Sequence, residues 1–329
     1  MVLLYNDCEV RRGAFFLRST RTLVPITPAL VKDLARMITL YVVVSCVWLV
    51  RRPTKLFRPL SIGFFPHRPG PWYLIWNVMT FLGARAAKDP RDCDVLYYFE
   101  DATQAKANLD RLIEENRHVV NLRCTDIGKD RVAATFERVF GYPLSVDPRS
   151  HVGPAVRKSV QNAAHDGTVV ACPLADVPEG VVFQRLIDNA PDGAHVQDIR
   201  VPIIGETIPF AYIKERPLEI RFANENSRVS FHETAELLSA GEVEKILAFA
   251  REMHLEVGSC DVLRDRVSGR IYIVDANKTC MGPPVALPLY DKLRALNRLA
   301  RTFEAYVTGI AQRQGGAREG APREGPSGR

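Results

Sequence analysis

Asp261-Val262-Leu263-Arg264-Asp265-Arg266-Val267-Ser268-Gly269-Arg270-Ile271-Tyr272-Ile273-Val274-Asp275-Ala276-Asn277 reads as a β-hairpin. One strand opens on a carboxylate, a polar turn closes at Gly269, and a β-branched and aromatic strand returns to end on a carboxylate and an amide. Side chains two apart on a strand share a face, so Asp275 and Asn277 point the same way, and the hairpin brings Asp261 beside them. Three hard oxygen donors in one place suit magnesium, which takes few protein carboxylates and fills its shell with water and phosphate oxygens. The stretch therefore reads as a magnesium-nucleotide site, with a surface hairpin of solvated acids as the plain alternative.

Outward from the hairpin, the 329 residues have 47% hydrophobic and 25% charged content, an ordinary soluble composition long enough for two or three lobes. The net charge of +6 is dispersed, without a basic stretch interleaved with aromatics, so nucleic acid is not expected as a partner. Seven scattered cysteines without a C-x-x-C pair argue against a disulfide framework or zinc and for a reducing, cytoplasmic setting. Residues 1–60 form an N-terminal extension holding the apolar run Met37 to Val50, which is shorter than the ~20 residues that cross a bilayer. A buried element is expected there, with membrane contact through 37–50 as the alternative. From about residue 311 the chain is Gly, Pro, Arg, Glu and Ser without large apolar residues, and an unstructured tail is expected over 311–329.

Short strands at Ser61 to Pro66, Val95 to Glu100 and Val119 to Arg123, with a helix over Thr103 to Arg117, predict a small parallel α/β lobe over 61–145. Glu100, Asp101 and Asn121 fall at its strand ends, where ligands collect, or serve there as turn and cap residues. The stretch Thr125 to Val132 then leads into a helix that runs through about Phe140 and is stopped by Gly141. Beyond Asp147-Pro148 come a strand ending at Lys158, a polar loop from Ser159 to Gly167 and a strand from Thr168 to Cys172. A point charge and a small, flexible loop are what a phosphate needs. His165 in that loop is open between binding an anion and holding the loop together.

These parts, in this order, resemble the ATP-grasp superfamily, in which a Gly-bounded hairpin ends in carboxylate-x-Asn and a lysine opens the helix before a Gly-x-Pro passage. The resemblance runs from about Ser61 to Leu299. It implies an α/β (α+β) fold in which a small parallel N-terminal lobe precedes two α+β lobes, over 146–310, that clasp ATP. It further implies that Asp261, Asp275 and Asn277 hold Mg2+ (or Mn2+), and that Lys129 and Lys158 meet the phosphates. Gln184, Leu186 and Ile187 would meet the adenine, Asp198 the ribose, and Arg200, Arg216 and Arg221 the transferring phosphoryl group or the substrate. The implied activity is that of a carbon-nitrogen ligase, glutamate-ligase-like, which converts a small-molecule or peptide carboxylate to an acyl phosphate for attack by an amine or similar nucleophile. A kinase acting on an alcohol and a non-catalytic ATP-binding scaffold are the alternatives. The chain departs from the pattern in four places: Gly128 precedes the helix lysine, the loop after Lys158 has one glycine where the family often has two or three, Asp275 stands where many members have glutamate, and Ser259 stands where many ligases have arginine.

Overall fold

The computed structural model describes residues 8–11, 13–17, 22–54, 60–89, 92–114, 118–162, 164, 166–223 and 225–319. Strands β1 (Cys8–Arg11), β2 (Ala14–Leu17) and β3 (Thr22–Pro25) form a small antiparallel meander. Helix α1 (Pro28–Thr54) follows, with Thr27 Oγ1 accepting the Leu30 N–H at its start. Apart from Leu40 and Val44, which enter the core, much of its apolar surface stays exposed. The expected buried element at 37–50 is thus buried along one line only.

The parallel lobe is built from β4 (Ser61–Pro66), α2 (Leu74–Leu82), β5 (Arg85–Ala86), β6 (Val95–Phe99), α3 (Asp110–Glu114) and β7 (Val119–Val120), with strand order β5-β4-β6-β7. The expected helix from Thr103 is a loop as far as Leu109. The cause is Glu100, whose carboxylate accepts the N–H groups of Lys106 at 3.0 Å and Ala107 at 3.4 Å and wraps that segment around itself.

Helix α4 (Lys129–Phe140) ends, as read from the sequence, at Gly141, whose φ of 80° is open to glycine at little cost. The second sheet, ordered β10-β8-β9, comprises β8 (Gly153–Ser159), β9 (Thr168–Cys172) and β10 (Val181–Arg185). The largest sheet is fully antiparallel, ordered β13-β12-β11-β14-β15, from β11 (His195–Ile204), β12 (Ala211–Pro217), β13 (Arg228–His232), β14 (Val257–Arg264) and β15 (Ile271–Asn277). Short α5 (Thr234–Leu237) and then α6 (Ala240–Glu252), opened by a Ser239/Glu242 capping box, come between β13 and β14.

The largest sheet has two unlike faces. One packs Ile199, Val201, Cys260, Val262 and Ile273 against Val132, Phe136, Ile246 and Phe249 of α4 and α6. The alternating positions Asp198, Arg200, Asp261 and Asp275 fall on the other face. Helix α7 (Leu289–Glu319) closes the chain, its Leu296, Leu299 and Phe303 joining the parallel lobe and α1 in one core. It runs into the stretch from 311 expected to be a tail; Ala, Gln and Arg there are good helix formers, and a Gly pair costs only about 1 kcal/mol per residue. Residues 320–329 lie outside the described residues.

Candidate active site

The hairpin forms as read from the sequence, with Asp261 directly opposite Asp275 and Ser259 opposite Asn277. A bulge between Asp261 and Val262 leaves Val274 without a cross-strand partner beside the two acids. On the other flank of β14, Arg200 pairs in register with Asp261. Asp198 and Lys214 are likewise in register across β11 and β12. The sheet thereby collects three acids and a row of cations around one cavity of about 140 Å3. Lys129 enters it from the start of α4 and Lys158 from β8.

Asp261 is fully engaged. Arg200 donates Nε and Nη2 to its two oxygens at 3.0 and 2.7 Å, and Lys214 Nζ donates at 2.9 Å. Burial alone would raise this carboxyl, but the charges of Arg200 and Lys214 outweigh it and hold Asp261 well below the usual carboxylate range. Asp275 is the opposite case. Its Oδ1 is buried and no donor among the described residues reaches it, and burial pushes its carboxyl up, with Lys129 offsetting only part of the effect. Burial also pushes the Lys158 ammonium down, against the pull of Asp275.

Lys129 Nζ donates to the carbonyl of Gln161 in the loop after β8, and Lys158 Nζ to Gln184 Oε1 at 3.2 Å. The buried Nε2 of Gln184 has no partner. Asp198 accepts from Arg216 and, at 3.0 Å, from Asn189 Nδ2. Arg216 also donates to the Arg221 carbonyl at 2.8 Å. Arg221 reaches the Ile187 carbonyl at 2.8 Å and Asn189 Oδ1 at 3.1 Å, so the backbone acceptor expected to meet an adenine is already bonded. Asn277 Oδ1 accepts the Thr279 N–H at 2.8 Å and caps the turn after β15.

Of the residues singled out in the sequence, Lys129, Lys158, Asp198, Arg200, Arg216, Arg221, Asp261 and Asp275 line the cavity; Gln184, Leu186, Ile187 and Asn277 stand outside it. His165 lies outside the described residues. Lys214 and Asn189 are site residues that sequence reasoning missed, and only Lys214 left a signal. Its signal was the two-residue spacing to Arg216, which puts both on one face of β12. At the end of the parallel sheet, Glu100 and Asn121 turn out to hold the chain together, while Asp101 accepts from Tyr73 at 2.6 Å and Thr279 at 2.7 Å, tying that lobe to the turn after β15. Cys46, Cys124, Cys172, Cys260 and Cys280 are free thiols.

No family model matches this sequence, and no curated protein matches it. Among solved structures it is similar to ATP-grasp ligases. A D-alanine–D-alanine ligase from Bacillus anthracis aligns at 12% identity and a TM-score of 0.48 over 78% of this chain and 100% of that one. The ATP-grasp ligase PsnB, complexed with minimal precursor, Mg and ADP, aligns at 15% identity and 0.46 over 74% and 98%. A Chryseobacterium gregarium RiPP-associated ATP-grasp ligase, in complex with ADP and a leader and core peptide, aligns at 11% and 0.44 over 80% and 98%. At this degree of overlap, the chemistry has to be argued from this chain's own residues.

Proposed function

We propose that the cavity binds the phosphates of ATP with Mg2+ (or Mn2+) and that the protein is a ligase, activating a carboxylate as an acyl phosphate for attack by an amine or similar nucleophile. The observation that carries this reading is the unpartnered Oδ1 of Asp275, enclosed opposite Asp261 and beneath Lys129 and Lys158. A buried carboxylate oxygen without a donor is costly unless a ligand completes it. Among the described residues no three His, Cys, Asp or Glu side chains form a ready-made metal cluster. Magnesium does not need one, since one or two carboxylates and substrate phosphates suffice. Asp275 and Asp261 would hold the ion. When bound, it neutralises charge on the phosphoryl group in transfer.

Everything else falls to the chain itself. Arg200 and Lys214, parked on Asp261, are positioned to exchange that carboxylate for oxygens of the incoming phosphate or substrate. Lys129 and Lys158 neutralise the remaining phosphate charge. The substrate carboxylate oxygen then bonds to the γ-phosphorus as the bond to the ADP oxygen breaks. The nucleophile's nitrogen bonds to the acyl carbon as phosphate leaves. A cavity of about 140 Å3 lies below the ~300 Å3 of a typical small-molecule site, so a nucleotide enters only if its cover moves. That cover includes Asp166 and Gly167, the latter packed so close to the Phe222 ring that a Cβ would lie 2.6 Å from it.

Titration calorimetry of ATP with and without magnesium tests the reading. Binding should need the metal and weaken in Asp275→Ala and in Lys158→Ala. Metal-independent binding that both variants retain sinks the assignment. Released phosphate then separates a ligase from a kinase, which leaves the phosphoryl group on its acceptor.

A further inference from the structure

Helix α1 is apolar on the side it turns to solvent as well as on the side it packs. Leu40 and Val44 enter the core, Tyr41 meets Trp76 edge-on at 5.7 Å, and Arg51 donates to the Phe81 carbonyl at 3.1 Å, so one side is committed to α2. On the other side Val31, Ile38, Val42 and Leu49 are 53%, 60%, 57% and 61% exposed, and Leu34 is exposed with them. Positions 31, 34, 38, 42 and 49 fall along one line of a helix, a stripe about 27 Å long. From Met37 to Val50 no residue of any face is charged. The most apolar 18-residue window within Leu30–Arg51 has a mean hydropathy of 1.7, with 11% of it buried, against −0.08 for the whole chain.

We propose that this stripe seats the protein on the surface of an anionic lipid bilayer, with α1 lying in the plane of the interface. Two features favour lipid over a second copy of the chain. A soluble helix pair keeps a charged rim beside its apolar seam, and between Met37 and Val50 the exposed polar side chains of α1 are only the small Thr39, Ser45 and Cys46, with no charge. The charges flank it instead: Lys32 and Arg36 before the run, with Asp33 as the one acid, 3.2 Å from Arg36, and Arg52 after it in the sequence, next to Arg51, whose guanidinium is held on Phe81. Cations bracketing an apolar stripe suit acyl chains beneath and anionic headgroups beside. The packing of Leu40 and Val44 against the folded lobe keeps the helix from turning across the bilayer. The proposal is independent of the nucleotide site.

The full-length protein is mixed with vesicles of phosphatidylcholine alone, or with one third phosphatidylglycerol, and floated on a density gradient. It should float with the anionic vesicles and less so in high salt. Ile38→Glu/Val42→Glu should lower the partition coefficient about a hundredfold, as two side chains lose their apolar burial. Both positions are exposed, so the variant should melt like wild type. If it does not fold, Lys32→Glu/Arg36→Glu replaces it and should lower binding to anionic vesicles. Failure of the wild type to float, or equal flotation of wild type and variants, overturns the proposal. So does a dimer in sedimentation that Ile38→Glu/Val42→Glu dissociates without any vesicle binding, which would make a second copy the occupant. Equal flotation with phosphatidylcholine alone overturns the choice of an anionic surface.

Discussion

Asn121 and Asp275 each stand at or just past the end of a strand with polar atoms shut away from water, and only one is complete. Asn121, fully buried and at φ 63°, gives its Oδ1 to the N–H groups of Glu256 and Val257, both at 2.9 Å, and its Nδ2 to the Val257 carbonyl at 2.7 Å. Asp275 Oδ1 meets no donor among the described residues. Glu100 and Asp261 repeat the contrast in charge: Glu100 is wrapped by its own loop, while Asp261 is held by two cations that face a cavity. A polar residue that the protein satisfies with its own backbone is a clamp. One left open, or satisfied only by side chains with somewhere else to go, belongs to a ligand.

Asp275→Asn breaks that comparison most sharply. It keeps the shape and removes the charge, so turnover should fall about 100- to 1000-fold, or ~3 to 4 kcal/mol of transition-state stabilisation, while the melting temperature without ligand holds or rises. Steady-state release of ADP beside a thermal melt measures both. Unchanged turnover would place the metal and phosphates elsewhere.

Asn121→Ala should show the converse. It strands two buried N–H donors and leaves alanine at a positive φ, for a loss of about 3 kcal/mol of folding stability. Urea unfolding should show it, with nucleotide affinity unchanged below the transition. A large loss of affinity at unchanged stability would move Asn121 into the site.

The sequence carried much of this contrast, because the relevant patterns are local. Alternation along a strand is enough to place Asp275 with Asn277, Asp198 with Arg200, and Lys214 with Arg216, and Gly269 marks the turn that sets Asp261 against Asp275. What stayed hidden depends on distant partners. The loop at Thr103 is non-helical because of Glu100 and also meets Asn162, whose N–H donates to Thr103 Oγ1 at 3.0 Å. The Ile187 carbonyl is claimed by Arg221, 34 positions away. The apolar run of α1 reads alike whether covered or bare, and only its packing shows that most of it is bare.

The smallest effect sharpens the comparison without using activity. Burial raises the Asp275 carboxyl above its ordinary 3.8, so its proton is held more tightly in the folded chain. The sign follows from linkage: the stability this group contributes is full below 3.8 and is lost as pH rises through its folded value. Asn at 275 cannot titrate. Every other group, including the depressed Asp261 carboxyl, is common to both proteins and largely cancels in their difference. Urea unfolding of wild type and Asp275→Asn, free of metal and nucleotide, should therefore diverge in favour of the variant as pH rises through that folded value, with a slope of at most about 1.4 kcal/mol per pH unit. Magnesium and ATP should reverse the order at neutral pH, since a ligand that binds only the folded wild type stabilises it by mass action. A difference that stays flat across pH would mean that Asp275 is already ionised in the folded chain without a cation, and the open oxygen would then lose its meaning as a vacancy for metal.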